Sequence, residues 1–337
     1  SGDVGKTIEA NSGAFVLTTT SGAYVETTAP TSYAQAASGS WEMYGVVYNA
    51  TDGDLELSSI TIGFDVSTAA YSQDFSVTTQ EIDPLGLAFN VDGTKMFVCG
   101  GTGDEVNEYA LSTAFDVSTS VAVSVFSVAA QDTYPTAIEF NTDGTKMFIL
   151  GNSGQDVNEY ALATGFDVTT ASFTGSFSVS AQEVTPQGLA FNTDGTKMFV
   201  LGSVNGANEY ALSTGFVVAS AVFTDAFSVA AQALTAQAIA FSSDGTKMLI
   251  VDSNLGQVNE YALSTGFDVS TASFTDAFSV AAQDQTPTGL SFNTDGTKMF
   301  VIGNANDKVY EYSMGSFTAP SGYNPVHTTS SIDSTYW

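Results

Sequence analysis

Carboxylates and amides are the side chains of this sequence that could do chemistry. The chain of 337 residues carries 36 acidic residues against seven lysines, with one histidine, one cysteine and no arginine. His327 lies outside the repeated part of the sequence, which excludes a Ser-His-Asp or Cys-His arrangement there. Cys99 stands where the other repeats have leucine, valine or isoleucine, so it is predicted to be a core side chain.

Metal-assisted hydrolysis is the reaction that these oxygen-rich side chains would serve. Glu139 with Asp252 and Asn254 is the nearest constellation, since hard cations bind carboxylate and amide oxygens. Their spacing matches no recognisable motif, and a carboxylate pair for glycoside hydrolysis has equally little support. The sequence therefore predicts no enzyme, no catalytic residue, no metal site and no cofactor. A bound cation such as Ca2+ stays an option without a motif behind it.

The elements that must position these residues come from a block of about 51 residues that recurs five times. Each copy contains the motif Asp-Gly-Thr-Lys, at Asp92, Asp143, Asp194, Asp244 and Asp295. The motif lies between two short apolar runs, which predicts a hairpin, and its aspartate is interpreted as a turn former. A unit of this length with four short strands is typical of a propeller blade.

The order of the strands predicts how the ring closes. The chain supplies a fourth strand, then four complete blades, and finally the first three strands of a last blade. The segment 71–77 is expected to pair beside 308–313 and to complete that blade, which removes an exposed edge. The predicted fold is an all-β, five-bladed β-propeller with four-stranded blades, over residues 63–316. Because Leu55–Ile62 also precedes a Phe-Asp-Val motif, six blades are the alternative.

The flanking segments have a different composition. Thr7–Leu17 and Trp41–Tyr48 are β-like, so residues 1–62 are predicted to form a small N-terminal β module or arm. Residues 317–337 are rich in serine and threonine and are predicted to be a tail or linker.

The charge of the chain excludes several classes of partner. The formal net charge is −29, and such a surface repels nucleic acids and anionic membranes. No apolar run approaches the roughly 18–20 residues of a membrane span, so no membrane insertion is expected. A strongly acidic surface suits a salty extracellular setting.

Comparison of the repeats separates a constant face from a variable one. The Asp-Gly-Thr-Lys hairpins and the Phe-Asp-Val loops belong to the constant face; their lysines are expected to be solubilising, and the Asn-Glu-Tyr repeat to support blade packing. The other loops diverge, and divergence leaves room for recognition, although neutral drift is the competing explanation. The candidate receptor-binding residues are Asp83, Asp132, Tyr134, Glu139, Glu183, Gln187, Asp252, Asn254, Asp284, Asn304 and Asn306.

The blade hairpin, as in Phe191–Val200, resembles the hairpins of lactonase-like and TolB-like propellers, which implies the fold only. The phrases Asn-Glu-Tyr-Ala-Leu, Phe-Asp-Val-Ser-Thr and Phe-Ser-Val-Ala-Ala-Gln resemble repeats in fibre and appendage proteins of marine bacteriophages. That second resemblance implies a location on the virion surface, outside the cell.

Three functions stay open at this point. The preferred one is a non-enzymatic virion appendage, a bacteriophage fibre or surface protein, that uses its variable face to bind a host cell-surface glycan or protein or another virion subunit. The second is a structural spacer, decoration or filament subunit without a ligand, and homo-oligomers are a further option. The third is a metal-dependent, lactonase-like hydrolase at the channel.

Overall fold

The computed structural model describes residues 63–315 except 203–205, and in addition five short strands nearer the N-terminus. These strands are β1 (Thr7–Ala10), β2 (Gly13–Thr19), β3 (Val25–Thr28), β4 (Gly45–Tyr48) and β5 (Leu55–Ser58). They form a three-stranded antiparallel sheet, β1-β2-β3, and a hairpin of β4 with β5. Since β5 pairs with β4 and with no blade strand, the six-blade alternative is wrong. The predicted tail, residues 317–337, lies outside the described residues.

Residues Ile62–Gly315 form one compact unit, a five-bladed β-propeller of four-stranded antiparallel sheets. The first blade contains β7 (Pro84–Phe89), β8 (Lys95–Gly100), β9 (Glu105–Leu111) and β10 (Ser120–Ser127). The second contains β11 (Pro135–Phe140), β12 (Lys146–Gly151), β13 (Asp156–Leu162) and β14 (Ala171–Ser178). The third contains β15 (Pro186–Phe191), β16 (Lys197–Gly202), β17 (Gly206–Leu212) and β18 (Ala221–Phe227).

The fourth blade contains β19 (Ala236–Phe241), β20 (Lys247–Asp252), β21 (Gln257–Leu263) and β22 (Ala272–Ser279). The fifth contains β23 (Pro287–Phe292), β24 (Lys298–Gly303), β25 (Lys308–Ser313) and, from the other end of the propeller, β6 (Ala70–Ser76). In that blade Lys308 pairs with Ser76 and Ser313 with Ala70, so the predicted ring closure is confirmed. No helix in the described part of the chain is long and apolar enough to cross a membrane.

The second strand of every blade is buried on both of its sides. Met96–Cys99 are fully buried, which explains why Lys-Met-Phe-Val has no alternation of apolar and polar residues. Cys99 is among them, as predicted, and burial raises the pKa of its thiol to about 12. The core therefore lies between successive blades, where the inner three strands of each sheet pack against the neighbouring sheets.

An ion pair within each blade holds backbone groups of the next blade, and we call this arrangement the blade joint. In the first joint, the Lys95 ammonium lies 2.7 Å from the Glu108 carboxylate and donates a hydrogen bond of 2.6 Å to the carbonyl of Phe166 in the following blade. The other oxygen of Glu108 accepts the backbone N–H of Val168 at 3.3 Å. The five joints are Lys95–Glu108 with Phe166 and Val168, Lys146–Glu159 with Phe216 and Val218, Lys197–Glu209 with Phe267 and Val269, Lys247–Glu260 with Phe64 and Val66, and Lys298–Glu311 with Phe115 and Val117.

These joints correct one expectation and confirm another. The repeated lysines are half-buried parts of contacts between blades, so their interpretation as solubilising surface residues is wrong. The glutamate of Asn-Glu-Tyr supports the packing of the blades, as predicted. The aspartate of Asp-Gly-Thr-Lys forms the turn, since Asp92 accepts both the backbone N–H and the hydroxyl of Thr94.

The Phe-Asp-Val motif presents the partner groups of the joint. Phe115 has a φ of 54°, in the left-handed region that is costly for a bulky side chain. Its ring packs against Gly93 so closely that a Cβ there would collide with it, which explains the glycine in every hairpin. The Asp116 carboxylate accepts the backbone N–H of Ser118 and fixes the short 3-10 turn Val117–Thr119. The strained aromatic thus places its carbonyl where the lysine can reach it.

Candidate functional site

The loop face is the side of the propeller formed by two sets of loops. One set joins the blades, at 77–83, 128–134, 179–185, 228–235 and 280–286; the other joins second to third strands, at 101–104, 152–155, 253–256 and 304–307. Backbone hydrogen bonds tie the sets together, for example Asn152 N–H to the Tyr134 carbonyl at 3.0 Å. The described loops that diverge most in sequence therefore lie together on one side of the propeller.

In four blades, a buried carboxylate links the two loops through hydrogen bonds that the described residues show. In the second blade, Asp132 accepts the backbone N–H of Tyr134 at 2.6 Å through one oxygen and that of Gly154 at 2.6 Å through the other. In the fifth, Asp284 accepts the N–H groups of Thr286 and Ala305. Glu81 and Glu183 occupy the same position in the first and third blades, and all four side chains are buried.

The fourth blade supplies this carboxylate from the other strand. Ala233 replaces the acid of the inter-blade loop, and Asp252 stands at the end of the second strand, where the other blades have glycine. Asp252 accepts the backbone N–H groups of Thr235 and Asn254, so it makes the same link. In the second blade a Cβ at Gly151 would collide with Asp132, which shows why only one of the two positions can hold the acid.

The structure places the predicted binding residues on this face with unequal exposure. Asp132, Glu183, Asp252 and Asp284 are buried in the loop links, and their hydrogen bonds to the backbone give them a structural role. The half-buried candidates on the face are Asp83, Gln187 and Asn304, and the exposed ones are Tyr134, Asn254 and Asn306. Only the half-buried and the exposed candidates present side chains that a partner could contact directly. Glu139 does not belong to this face.

Exposed aliphatic side chains on the loop face escaped the sequence reasoning. Ile82, Val184 and Leu234 follow the buried position in three of the inter-blade loops and are 59%, 50% and 70% exposed. Leu255 lies exposed in a loop between second and third strands. A sequence signal for the first three existed: an apolar residue followed by a polar one stands at the same repeat position in three copies. Together with Tyr134 they give the face an apolar character that its acidic residues had concealed.

The inner strands close the channel at a narrow throat. The space enclosed there is about 20 Å3, and a side chain at Gly188 would collide with the backbone of Ala238 and Ile239. On the side of the Asp-Gly-Thr-Lys hairpins, which we call the hairpin face, the channel widens into a cup of about 280 Å3. Glu139 lines both the throat and this cup, and it stands next to Phe140 at the hairpin end of β11. The grouping of Glu139 with the loop face is therefore wrong.

The constellation of Glu139, Asp252 and Asn254 is wrong for the same reason. Asp252 ends its strand at the loop face, whereas Glu139 stands near the hairpin end of β11. Within the described residues, no group of three or more histidine, cysteine, aspartate or glutamate side chains is arranged to hold a metal ion.

Glu139 is the one ionisable side chain among the residues that line the cup. Removal from water raises the pKa of its carboxyl from 4.5 to about 8, and a hydrogen bond from the Phe140 backbone opposes this shift in part. The strands packed against β11 contribute Lys95 and Lys146, and both lysines are engaged in blade joints. No cation on those strands is left to stabilise the charged form of Glu139.

We expect Glu139→Gln to stabilise the protein more at pH 8 than at pH 5. The folded chain keeps a proton on Glu139 up to about pH 8, while the unfolded chain releases it near 4.5. The stability that this proton contributes is present below 4.5 and is lost as the pH rises to about 8, by up to about 1.4 kcal/mol per pH unit. Urea unfolding of both proteins across this range measures the difference; a constant difference would contradict the prediction.

Comparisons with known proteins identify no family for the chain. No protein-family model matches it, and no curated protein matches it. It is similar to the structure of a candidate 6-phosphogluconolactonase from Bacteroides uniformis, with 12% identity, 83% of this chain and 75% of that chain covered, and a TM-score of 0.42. At this TM-score the similarity adds nothing to the fold assignment, which rests on the strand pairing.

Two further structures give values in the same range. A protein of unknown function from Desulfotomaculum acetoxidans shows 16% identity, with 68% of each chain covered and a TM-score of 0.43. A protein from Lactobacillus plantarum shows 16% identity, with 70% of this chain and 64% of that chain covered and a TM-score of 0.40.

Proposed function

We propose that this protein is a non-enzymatic, extracellular binding module of a virion appendage, a bacteriophage fibre or surface protein. Its loop face would contact a host cell-surface protein or glycan, or another virion subunit. The observation that supports this function is the construction of the loop face. Buried carboxylates hold divergent loops in place, and these loops expose Ile82, Tyr134, Val184 and Leu234 to solvent.

Such a surface has the features of a protein contact site. Apolar and aromatic side chains at the centre of a patch provide most of the binding energy in protein interfaces, with polar groups around them. Fixed loops reduce the entropy lost when a partner binds. Tyr134 also suits a sugar, because an exposed aromatic ring offers an apolar face together with a hydroxyl. Asp83 lies against it, and burial and this charge raise the pKa of the Tyr134 hydroxyl.

We expect Tyr134→Ala and Val184→Ser to weaken attachment about tenfold each, equal to about 1.4 kcal/mol, if these residues are interface anchors. Binding of the labelled protein to a panel of bacterial cells and to a glycan array measures the effect. Val91→Ser is the matched control, because Val91 on the hairpin face is 54% exposed and Val184 on the loop face is 50% exposed.

Two outcomes would contradict the proposal. Absence of saturable binding to any cell or glycan would contradict the proposal that the protein binds a host receptor. Equal weakening by Val91→Ser and Val184→Ser would indicate contacts on both faces, as a structural spacer makes. Lys146, at first sight a suitable control on the hairpin face, is excluded because its substitution would break a blade joint.

A further inference from the structure

The cup on the hairpin face has the composition of a binding site for a small ligand. Its volume of about 280 Å3 lies just below the range for pockets of drug-sized ligands, roughly 300–1,000 Å3, and suits a smaller ligand. Phe191, Phe241 and Phe292 line it and are held by neighbouring rings; Phe191, for instance, lies 4.6 Å from Phe148 between ring centroids. Ser242 and Ser291 add hydroxyl groups. Eight of the fifteen lining residues are apolar, and Thr193, Ser243, Asn293 and Thr294 add further polar groups. The cup therefore combines phenyl rings fixed in position with a polar rim.

Glu139 breaks the repetition of the inner strands. The equivalent residues in the other blades are Ala88, Ala190, Ala240 and Ser291, so the fold does not require a carboxylate at this position. Among the described residues, only the backbone of Phe140 is a hydrogen-bond partner of this carboxylate. Glu139 is half-buried, and its carboxylate faces the cavity without a cation or a side-chain donor to compensate for the water it has lost. A ligand that enters the cup can supply one.

From this arrangement we infer that the cup binds an alkylammonium group, with the ammonium on the Glu139 carboxylate and the alkyl chain against the phenyl rings. The source of the group is either a free amine or the lysine side chain of a partner protein. The inference concerns the hairpin face and does not rest on the function proposed for the loop face.

The surrounding charges favour a cation over an anion. The turn aspartates Asp194 and Asp295 are exposed near the rim, and hydrogen bonds from the neighbouring threonines lower their pKa, so both are ionised at neutral pH. The nearby lysines are paired with glutamates in the blade joints. The negative potential that remains attracts cations. Phenyl rings attract an ammonium through their quadrupole as well.

An inorganic cation fits the cup less well. Calcium takes about six to eight oxygen ligands and favours charged ones, whereas the cup offers one carboxylate, and its other side-chain oxygens are the neutral hydroxyl and amide groups of serine, threonine and asparagine. An alkylammonium needs fewer oxygen ligands than calcium and gains from the burial of its methylene groups against the phenyl rings.

Isothermal titration calorimetry of the whole protein with n-butylammonium chloride tests the inference. Near pH 9 both the Glu139 carboxylate and the amine are charged, since an alkylamine has a pKa of about 10.4. We expect saturable binding of the amine and none of 1-butanol, its neutral analogue. Glu139→Gln should weaken binding by about tenfold or more. A lysine-containing peptide with blocked ends separates the two sources: binding comparable to that of the amine indicates a lysine of a partner, and no binding of the peptide indicates a free amine.

The pseudo-symmetry of the propeller offers a matched rescue. Ala240 occupies the position of Glu139 in the fourth blade and lines the same cup. The double substitution Glu139→Gln with Ala240→Glu should restore binding to within about threefold, because the carboxylate returns to the cavity from another blade. Absence of saturable binding by the unmodified protein, equal binding by Glu139→Gln, or a preference for calcium over the amine would each overturn the inference. Failure of a well-folded double variant to regain binding would overturn it too.

Discussion

Deletion of residues 1–79 is expected to abolish the cooperative unfolding of the propeller. The deletion removes strand β6 together with Val66 and Val77, which are fully buried. Each fully buried aliphatic or aromatic side chain contributes about 1.5–3 kcal/mol, and Phe64 and Phe75 are lost as well. The sum is comparable with the total stability of a domain, about 5–15 kcal/mol. Differential scanning calorimetry measures the loss, and the open edge of β25 should promote aggregation.

Two shorter deletions are the controls. Removal of residues 1–61 keeps Ile62–Gly315, the compact unit that contains β6, and removal of 318–337 keeps the whole of that unit. Both should leave the melting temperature of the propeller nearly unchanged. If deletion of 1–79 gives the same transition as deletion of 1–61, the closing strand does not stabilise the ring.

Glu260→Ala should destabilise the protein by about 3–5 kcal/mol, the cost of removing one partner of a buried ion pair. Glu260 is buried and lies 2.9 Å from the Lys247 ammonium. Its other oxygen accepts the backbone N–H of Val66 at 3.0 Å, so it joins the fourth blade to the segment that leads into the closing strand. The substitution leaves a half-buried cation and a buried N–H group without a partner. Chemical denaturation at neutral pH measures the change.

The exposed pair of Lys308 with Asp74 is the control for this prediction. Its atoms lie 2.9 Å apart, but the two side chains are 36% and 28% exposed. Water and salt weaken such a pair, so Lys308→Ala should cost less than about 1 kcal/mol. Equal effects of Glu260→Ala and Lys308→Ala would show that the blade joints add little stability.

The fold could be predicted from the sequence because the same pattern of apolar strands and turns recurs five times. Asp-Gly between two apolar runs identifies each hairpin, and the phase of the strands determines which end of the chain completes the ring. The function of the lysines could not be predicted in this way. Lys95 makes its contact with the carbonyl of Phe166, which lies 71 positions away, and no local pattern reports an acceptor on another blade.

The candidate site, too, could be predicted from the sequence only in part. Divergence of the loops correctly located the variable face, but it did not distinguish a buried Asp132 from an exposed Asn254. That distinction depends on whether a backbone N–H group points at the carboxylate, which is a property of the folded loop. Glu139 stands out in the sequence because the equivalent residues of the other blades are small. Whether its carboxylate opens to the loop face or to the hairpin face depends on where the channel is narrowest, which the sequence does not show.

The blade joints also bear on how such a ring can change over generations. Each lysine and glutamate contacts backbone groups of the next blade, namely a carbonyl and an N–H, so these contacts do not depend on the residue that follows the phenylalanine. The third blade illustrates this, since Val217 replaces the usual aspartate while Glu159 still accepts the N–H of Val218. Two blocks that carry the same lysine, glutamate and phenylalanine can therefore make this joint wherever they meet. An exchange of whole blades between copies, and with them of whole loops, would keep the joints intact.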